Sequence, residues 1–442
     1  MNRNNVFIKN TLFNYLFRII GILLGFVTIP ITLNYLGDER FGIWQTMLSM
    51  ISWATFANFG IANGLRNIVT KMIGNDEESK LKHNISSAYF FVSKISIVIF
   101  ILLLSIIIII DTQSVFKNTI ISSKEIKVAF MIVAINFCVN FVIGICNSIA
   151  YGIHKSYYVT IQQTVISLGT LVLIYFFNIV TKPSIINVAV IYSFINTLGN
   201  IVLSVIVFND NKRLRPVFNY NKNKVDKKMY SLGLQFFVVQ IAALILASTD
   251  NFLVSTLIGS ENVTYYSIVN KLFITVNTIY MIILIPLWNS TADAIVKKDY
   301  MWISKMIKKL VYLLIPVACV LIFLVVMFDF IVKIWIGRYV EVDKLLIILM
   351  AIYIFLLCFN SIFTNIQNGF GKIKLQIIAM VLAAIVNIPC AFIFVEKFQL
   401  DMSGIVLANI VSQFIVFLIC PLDVLISLKK FVRKDRKNEG CY

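Results

Sequence analysis

The sequence predicts an all-α polytopic membrane protein with twelve transmembrane helices in two pseudo-symmetric six-helix lobes and both termini in the cytoplasm. Hydrophobic residues fill 59% of the 442 positions and charged residues only 14%, too few to cover a soluble fold of this size. Most of the chain consists of apolar stretches of about 20 residues or more, which is enough to cross a membrane. Turn motifs also recur half a chain apart, which indicates a duplication.

Each transmembrane span is predicted from an apolar stretch between polar connectors. The twelve spans cover residues 11–33, 41–63, 85–110, 126–151, 157–178, 185–208, 230–258, 263–288, 307–332, 345–368, 375–395 and 403–428. The longest polar interruption, at 209–228, is interpreted as a basic cytoplasmic linker. It separates an N-terminal lobe at 1–208 from a C-terminal lobe at 229–428, and 429–442 form a basic tail. The first span is too long for a signal-peptide core, so we expect it to be retained.

The basic residues predict the orientation of the chain. The formal net charge is +18, from 39 Lys and Arg against 21 Asp and Glu. In a soluble protein this excess would indicate nucleic acid binding, but here most basic residues lie in connectors on the same side as both termini. Cytoplasmic connectors of membrane proteins carry such an excess. We therefore expect cytoplasmic termini and no nucleic acid partner.

Two pairs of motifs indicate the duplication. Gly37 and Glu39, after the first span, match Gly259 and Glu261, which follow the seventh span 222 positions later. The Gly-x-x-Lys motif that begins at Gly152 recurs 217 positions later, between spans ten and eleven. Two copies with an even number of spans share one orientation, so their symmetry axis should run along the membrane normal. Chance similarity between glycine-rich turns is the alternative.

The first span carries a polar stripe on one helical face. Its members recur at steps of four and three residues: Asn14, Arg18, Gly21, Gly25, Thr28 and Thr32. Small residues in this pattern are typical of a close-packed seam with another helix. Arg18 differs, because a guanidinium about two turns inside a span needs an anionic partner or a water-filled cavity.

Two other spans carry neutral polar stripes. These are Asn136, Asn140 and Asn147 in span four and Asn360, Thr364 and Gln367 in span ten. Such side chains suit the hydroxyls of a sugar, and hydrogen bonds between helices are an equal alternative. Lys94, about ten residues into span three, is at a depth where it can meet the phosphates of a substrate, or it extends its amine toward the interface.

Asp250 and Lys271 are opposite charges at similar depth in the outer halves of spans seven and eight. One interpretation is a buried ion pair that joins the two helices. The other is that Asp250 takes up a proton or another cation during transport, with Lys271 tuning its acidity.

No motif in the sequence indicates covalent chemistry. A P-loop, a dinucleotide-binding glycine motif and a paired-carboxylate cluster are all absent. The seven cysteines form no Cys-x-x-Cys pair and the two histidines lie apart, so we expect no metal and no cofactor. Energy for transport must then come from an ion gradient or from the gradient of the substrate itself.

Four short motifs resemble one family. The pattern P-x5-LG-x-E-x-FGIW at 30–44, followed by FGIANGLRN at 59–67, resembles the N-terminal pattern of Wzx-type O-antigen and polysaccharide flippases. The segment 250–271 and the Trp-Ile-Gly tripeptide at 335–337 are similar to the second half of that pattern. The resemblance implies membership of the multidrug/oligosaccharidyl-lipid/polysaccharide exporter superfamily, which includes the MATE proteins. It also implies a MATE-like fold, with two lobes that work by alternating access around a central cavity.

The resemblance further implies a substrate. Wzx-type flippases move undecaprenyl-diphosphate-linked oligosaccharide from the inner to the outer leaflet of the bacterial cytoplasmic membrane, for O-antigen, capsule or exopolysaccharide synthesis. In that case Arg18 and Lys94 are expected to receive the diphosphate, and the stripes of spans four and ten to face the sugar. The expected partners are the lipid-linked oligosaccharide, membrane lipids, a proton or sodium ion, and a glycan polymerase with its chain-length machinery.

Two other functions fit a polytopic chain. A MATE-like ion-coupled exporter of organic cations is the main alternative. The three basic residues well inside spans, Arg18, Lys94 and Lys271, against one clear carboxylate, Asp250, suit an anionic substrate better. A membrane-embedded glycan polymerase, which is an enzyme, is disfavoured by the duplication and by the absence of large outer loops.

Overall fold

All regular secondary structure is helical in the part of the chain that the computed structural model describes. This part comprises residues 3–54, 65–66, 69, 78–109, 111–117, 121–153, 155–216, 248–284, 286–371 and 373–439. The helices are α1 (Arg3–Leu36), α2 (Asp38–Ala54), α3 (Glu78–Ile109), α4 (Thr112–Phe116), α5 (Ser123–Ile143), α6 (Ile145–Gly152), α7 (Ser156–Val180), α8 (Ile185–Asp210), α9 (Asp250–Leu257), α10 (Ser260–Leu284), α11 (Leu287–Val296), α12 (Tyr300–Tyr312), α13 (Leu314–Val326), α14 (Phe328–Ile336), α15 (Lys344–Phe370), α16 (Lys374–Phe392) and α17 (Asp401–Glu439). The predicted all-α class is confirmed for these residues.

Ten stretches of the described chain are long and apolar enough to cross a membrane. They are Phe13–Leu36, Leu81–Ile109, Ser123–Gly152, Ser156–Val180, Ile185–Asp210, Ser260–Leu284, Tyr300–Val326, Lys344–Phe370, Lys374–Lys397 and Asp401–Phe431. They correspond to predicted spans one, three to six and eight to twelve. The other two spans, 41–63 and 230–258, continue into residues outside the described part, as do the linker from 217 onward and most of the 59–67 motif. The count of twelve and the orientation therefore stay predictions.

The predicted ends of spans eight and nine differ from the observed helices. Span eight was expected to reach residue 288, but α10 ends at Leu284 and Pro286 precedes the separate helix α11. A proline has no backbone N–H to continue the helical ladder, which accounts for the break. Span nine begins earlier than the expected residue 307, because α12 already starts at Tyr300. Its first turns expose Lys305, so hydropathy assigned this part of the helix to a connector.

One carboxylate joins the starts of two helices. The backbone N–H of Glu125 donates to the hydroxyl of Ser122, which caps α5 at 3.2 Å. The Oε1 atom of Glu125 accepts from the hydroxyl of Ser184 and from the backbone N–H of Ile185, both at 3.1 Å. Because Ser184 and Ile185 begin α8, this single side chain fixes α5 and α8 at the same level.

The chain clusters into two compact units, Met1–Gln240 with Gly259–Thr264 and Ile241–Ile258 with Tyr265–Tyr442. In the first unit α1 packs along α7, and α5 packs against α3 and α8. In the second unit α17 packs against α15 and α16, and α11 against α15. Both units expose large apolar side chains, as surfaces that face lipid do. The lobe boundaries predicted at 208 and 229 stay predictions.

The small-residue stripe of α1 forms part of the seam with α7. The Nδ2 of Asn14 donates to the hydroxyl of Ser156 at 2.9 Å, and the hydroxyl of Thr160 donates to the Oδ1 of Asn14 at 2.8 Å. A Cβ on Gly21 would lie 3.6 Å from the Oγ1 of Thr164, which is an ordinary contact distance. The stripe therefore packs α1 against α7 at Asn14 and Gly21, as small and polar residues do within membranes.

The turn glycines of the two halves both have a positive φ angle. Gly37, between α1 and α2, has φ of 74°, and Gly259, between α9 and α10, has φ of 148°. Residues with a side chain rarely adopt these values, whereas glycine does so without steric cost. The two positions that first indicated the duplication therefore meet the same steric requirement.

A second pair of glycines makes the same contact in each unit. A Cβ on Gly152 would lie 3.0 Å from the carbonyl oxygen of Arg66, and a Cβ on Gly369 would lie 2.9 Å from the carbonyl oxygen of Trp288. Arg66 and Trp288 are 222 positions apart, which is the offset of the turn glycines. The recurrence of one backbone approach at matching positions supports a duplication over chance similarity of turns.

Alanine at Gly152 or Gly369 is expected to destabilise the protein by roughly 1–3 kcal/mol, because the added methyl group has no room. It would lie 2.8 Å from the Cβ of Val69 in the first case and 2.6 Å from the Cβ of Thr291 in the second. The measurement is the thermal midpoint of the detergent-purified protein. Gly21→Ala is the control and should leave the midpoint unchanged. Equal midpoints for all three variants would contradict the steric explanation.

Candidate functional site

A cavity of about 420 Å³ lies within the first unit, among α2, α3, α5, α6 and α8. Its polar lining consists of Ser52, Asn136, Asn140, Asn147, Tyr192 and Asn196. The remaining lining is apolar, and none of the described residues that line the cavity is charged. All three asparagines of the predicted span-four stripe are therefore gathered at this site, which we term the amide cavity.

The amides on one wall of the cavity form a hydrogen-bonded chain across three helices. The Nδ2 of Asn140 donates to the Oγ1 of Thr197 at 2.9 Å, and Thr197 donates to the Oδ1 of Asn136 at 3.1 Å. Asn200 donates to the Oδ1 of Asn140, and Gln162 donates to the Oδ1 of Asn200, both at 2.8 Å. The chain links α5, α7 and α8 and fixes the orientation of each amide. Asn140 thus both lines the cavity and bonds neighbouring helices.

Asn147 lines the cavity with an amide whose oxygen lacks a partner among the described residues. Its Oδ1 is buried and accepts no hydrogen bond from the described residues. A buried acceptor left without a donor costs about 1–3 kcal/mol. The opposite polar group, Tyr192, is held by an edge-on contact with Trp44, with ring centroids 5.6 Å apart. The cavity therefore combines a fixed aromatic wall with an amide whose oxygen is buried and has no donor among the described residues.

Tyr151, near the end of α6, is in contact with one arginine and in the electrostatic range of a second. The guanidinium carbon of Arg66 lies 5.3 Å from the centroid of the Tyr151 ring, within the range of a cation–π contact. Arg18, on α1, lies close enough to interact electrostatically with the Tyr151 hydroxyl. Both arginines are exposed, and Arg18 forms no ion pair with a described residue. We call this group of Arg18, Arg66 and Tyr151 the basic corner.

The surroundings of Lys94 differ from those of the basic corner. It is exposed on α3, on a face where Phe90, Ile97 and Val98 are also exposed. Its Nζ lies 4.4 Å from the centroid of the Phe90 ring, one turn back toward the start of the helix. A lysine that extends along apolar surface toward an interface has this arrangement. The structure thus favours the second interpretation of Lys94.

The stripe of span ten makes helix-to-helix hydrogen bonds. Asn360 is 3% exposed and its Nδ2 donates to the carbonyl oxygen of Gln413 on α17 at 2.9 Å. Gln367 is fully buried and donates to the Oδ2 of Asp423, also on α17, at 2.6 Å. Thr364 donates to a carbonyl of its own helix at 3.3 Å. These contacts correspond to the helix-bonding alternative for this stripe.

Leucine at Asn360 is expected to lower the thermal midpoint, because the buried carbonyl and amide of Gln413 lose their donor at a cost of about 1–3 kcal/mol. Thr364→Val is the control, since Thr364 bonds only its own helix, and it should change the midpoint little. If Asn360→Leu kept normal stability but lost transport, the stripe would instead contact the substrate.

A buried carboxylate lies at the centre of a polar cluster in the second unit. The Oδ2 of Asp250 accepts from the hydroxyl of Tyr266 and from the Nδ2 of Asn409, the latter at 2.8 Å. Asn387 donates to the Oδ1 of Asn409 at 2.7 Å and to the hydroxyl of Ser412 at 3.2 Å. The Oδ1 atoms of Asp250 and Asn387 are both buried without a donor among the described residues. The cluster therefore has more acceptors than donors, as a site for a cation or a proton would.

The ion pair between Asp250 and Lys271, one of the two interpretations of these residues, is not formed. Both residues are described, and the carboxylate has Tyr266 and Asn409 as its partners instead. Tyr266 and Lys271 are five positions apart on α10, so their side chains diverge by about 140° around the helix. The side of α10 that meets Asp250 is therefore not the side that carries Lys271.

Two polar residues were missed from the sequence. Arg66 lies in the predicted connector after span two, and nothing local in the sequence connects it with Tyr151 or Arg18. Asp423 lies inside the last predicted span, so the sequence did contain the signal for a second intramembrane carboxylate beside Asp250. Its bond to Gln367 shows how that carboxylate is accommodated.

A family model described as polysaccharide biosynthesis protein matches residues 7–287. This chain belongs to that family. A protein of Yersinia pseudotuberculosis named for O-antigen export is 23% identical over 368 residues, covering 81% of this chain and 82% of that protein. A protein of Shigella flexneri named for O-antigen transport is 21% identical over 405 residues, covering 89% and 92%. The resemblance of the sequence motifs to Wzx-type flippases is thereby confirmed.

Solved structures confirm the MATE-like fold of this polysaccharide biosynthesis protein. An inward-facing multidrug resistance MATE family transporter aligns with a TM-score of 0.71 at 15% identity, covering 92% of this chain and 96% of that one. The lipid II flippase MurJ, in an inward closed conformation, aligns with a TM-score of 0.70 at 14% identity, covering 96% and 87%. Family and fold place the chain among the multi-pass membrane transporters of polysaccharide biosynthesis.

Proposed function

We propose that the protein is a flippase that carries undecaprenyl-diphosphate-linked oligosaccharide from the inner to the outer leaflet of the bacterial cytoplasmic membrane by alternating access. One observation carries the proposal: the first unit combines an exposed pair of arginines with an uncharged cavity lined by amides. A diphosphate requires cationic donors, whereas a sugar requires neutral donors and acceptors. The two halves of such a headgroup match the two parts of this site.

The basic corner is assigned to the diphosphate. Arginine presents a planar fork of donors that matches phosphate oxygens in pairs, and each such bond is stronger than one between neutral groups. Arg18 has no anionic partner among the described residues, so its charge is available to a substrate. Lys94 lies over Phe90 on an apolar face. In this proposal its amine extends toward the membrane interface and does not bind the diphosphate.

The names of the relatives support the class of cargo. Both O-antigen relatives are aligned over more than four fifths of this chain, and a lipid II flippase shares its fold. In this proposal the oligosaccharide is passed at the outer leaflet to a glycan polymerase and its chain-length machinery.

Deletion of the gene tests the proposal. We expect the lipid-linked oligosaccharide to accumulate on the cytoplasmic leaflet and surface glycan to be lost, with both effects reversed by a plasmid copy. Intact surface glycan with increased susceptibility to cationic drugs would instead support an exporter of organic cations. Accumulation of single repeat units on the outer leaflet would instead support a polymerase.

For the energy source, we propose that the Asp250 cluster takes up a proton or a sodium ion. The two buried oxygens without donors, on Asp250 and Asn387, support this role. Oxygen ligands suit Na⁺, and a proton on the carboxylate would equally supply the missing donor. The uptake of a charge at this cluster would link transport to an ion gradient.

A further inference from the structure

We infer that an apolar groove between α7 and α8 binds an acyl chain of an anionic phospholipid, whose phosphate is held by Lys155 and Arg215 at one end of the groove. We term this site the lipid groove. The inference does not rest on the proposed function, because none of the residues of the lipid groove lines the amide cavity or belongs to the basic corner or the Asp250 cluster.

The lipid groove has a volume of about 340 Å³ and is lined by one face of each helix, from Tyr158 to Gly169 on α7 and from Ile195 to Ile206 on α8. Exposed apolar surface on helices that cross a membrane faces hydrocarbon and not water. The groove therefore opens toward lipid chains. The exposed apolar residues along it are Val165, Leu198, Val202 and Ile206.

Two glycines give the groove its shape. A Cβ on Gly199 would lie 2.5 Å from the Cγ1 of Ile166 on α7, and a Cβ on Gly169 would lie 3.3 Å from the Cγ2 of Ile195 on α8. Each helix thus presents a glycine to an isoleucine of the other, which brings the two backbones close together. Both glycines line the groove, so the absence of their side chains leaves the surface between the helices indented.

The length of the groove matches one leaflet of a membrane. Its lining on α7 runs over eleven positions, from Tyr158 to Gly169, which is a rise of about 16 Å along the helix axis. Half of a hydrocarbon layer of about 30 Å is about 15 Å. An acyl chain of a phospholipid reaches across one leaflet, whereas an undecaprenyl chain is much longer than the groove.

Tyr158 connects the groove to a charged end. Its hydroxyl donates to the Oδ2 of Asp210 at 2.7 Å, and the Nζ of Lys155 donates to the same oxygen at 2.8 Å. Asp210 lies four positions after the lining residue Ile206, so the two residues share one face of α8. Lys155 is therefore held at the end of the groove.

Arg215 is held at the same end. Its Nη2 donates to the Oδ1 of Asn209 at 2.8 Å, and its Nε donates to the carbonyl oxygen of Phe208 at 3.2 Å. Asn209 lies three positions after Ile206, again on the face of α8 that lines the groove. These two bonds use only part of the donors of the guanidinium, and Arg215 is exposed. The remaining donors are available to a phosphate.

The charge of this end favours an anionic headgroup. Asp210 compensates Lys155, but Arg215 and the nearby Lys212 and Arg213 are basic and exposed. A phosphate between Lys155 and Arg215 would gain charge-assisted hydrogen bonds. A choline group would place a further cation beside these side chains. Phosphatidylglycerol therefore suits the site better than phosphatidylcholine, as anionic lipids suit basic residues at a membrane surface.

Binding of two phospholipids to the purified, delipidated full chain tests the inference. Phosphatidylglycerol and phosphatidylcholine with the same acyl chains are titrated, and bound lipid is counted by native mass spectrometry. We expect phosphatidylglycerol to bind at least about fivefold more tightly, since a net basic charge attracts it. Equal binding of the two lipids by the wild type would overturn the inference, and this comparison needs no variant that has to fold.

The double variant Lys155→Gln, Arg215→Gln tests the headgroup site. We expect it to bind phosphatidylglycerol about thirtyfold more weakly, from about fivefold for each cation. Lys124→Gln is the matched control, because Lys124 is exposed beside Glu125 at the other end of α8, and it should bind as the wild type does. Wild-type binding by the double variant would overturn the assignment of the phosphate.

Val202→Phe tests the groove itself, because the larger ring would fill it. We expect this variant to lose binding of phosphatidylglycerol, whereas Ile201→Phe, on an exposed residue outside the groove, should bind as the wild type does. Displacement of phosphatidylglycerol by inorganic phosphate would show that the groove is not needed. Displacement by an equal concentration of a short polyprenyl monophosphate would show that the groove takes an isoprenoid chain. Either displacement would overturn the inference and leave the flippase proposal standing.

Discussion

Replacing both Arg18 and Arg66 by glutamine is expected to abolish surface glycan while the protein stays in the membrane at normal abundance. Each arginine is proposed to bind a phosphate with a bond worth about 1.5–3 kcal/mol, so the loss of both corresponds to roughly 10²–10⁴ in affinity. Both side chains are exposed, so the variants remove charge from the surface of the unit and not from its packed interior. The measurements are surface glycan, lipid-linked oligosaccharide on the cytoplasmic leaflet, and the amount of protein in membranes.

Two further variants test whether the loss of export comes from the loss of the arginines at this site. Lysine at both positions keeps the charge but lacks the planar fork of donors, so we expect partial export. Lys94→Gln is the matched control for loss of a cation within a span, and we expect it to export normally because its amine lies over Phe90. Normal export by the double glutamine variant would exclude the basic corner as the diphosphate site. Loss of export in Lys94→Gln would return the diphosphate role to Lys94.

Hydropathy predicted most of the fold because the property that drives insertion is local. A stretch of about 20 apolar residues must form a helix across the membrane whatever its neighbours are. The errors occurred where hydropathy stops being informative, as at Pro286 and at the lysine-rich start of α12. Those ends depend on backbone hydrogen bonding and on amphipathic packing instead.

The candidate site was predicted only in part, because a polar stripe does not specify what it faces. The stripes of spans four and ten looked alike in the sequence, yet Asn147 lines a cavity and Asn360 bonds a neighbouring helix. Tertiary packing makes this difference, since the same amide can form hydrogen bonds to a neighbouring helix or line a cavity. The same limit explains Arg66, which becomes part of a site only through its contact with Tyr151.

Asparagine at Asp250 is expected to abolish the dependence of transport on an ion gradient while leaving the fold intact. Its side chain has the same size, and its oxygen can still accept from Tyr266 or Asn409. Its Nδ2, however, is a permanent donor without charge, which imitates an occupied site that can no longer gain or lose an ion. The measurement is transport of a lipid-linked oligosaccharide in proteoliposomes with imposed proton or sodium gradients.

The identity of the ion follows from stability, because a ligand that binds the folded state stabilises it. Sodium at about 100 times its dissociation constant adds about 2.7 kcal/mol, which would raise the thermal midpoint of the wild type but not that of Asp250→Asn. A midpoint that changes with pH but not with sodium indicates a proton instead.

Lys271→Gln is the control within the same unit. Since Lys271 does not contact the carboxylate, this variant should keep the ion dependence, and its loss would show that Lys271 tunes Asp250 from a distance. A gradient dependence that survives in Asp250→Asn would move the coupling site elsewhere in the chain.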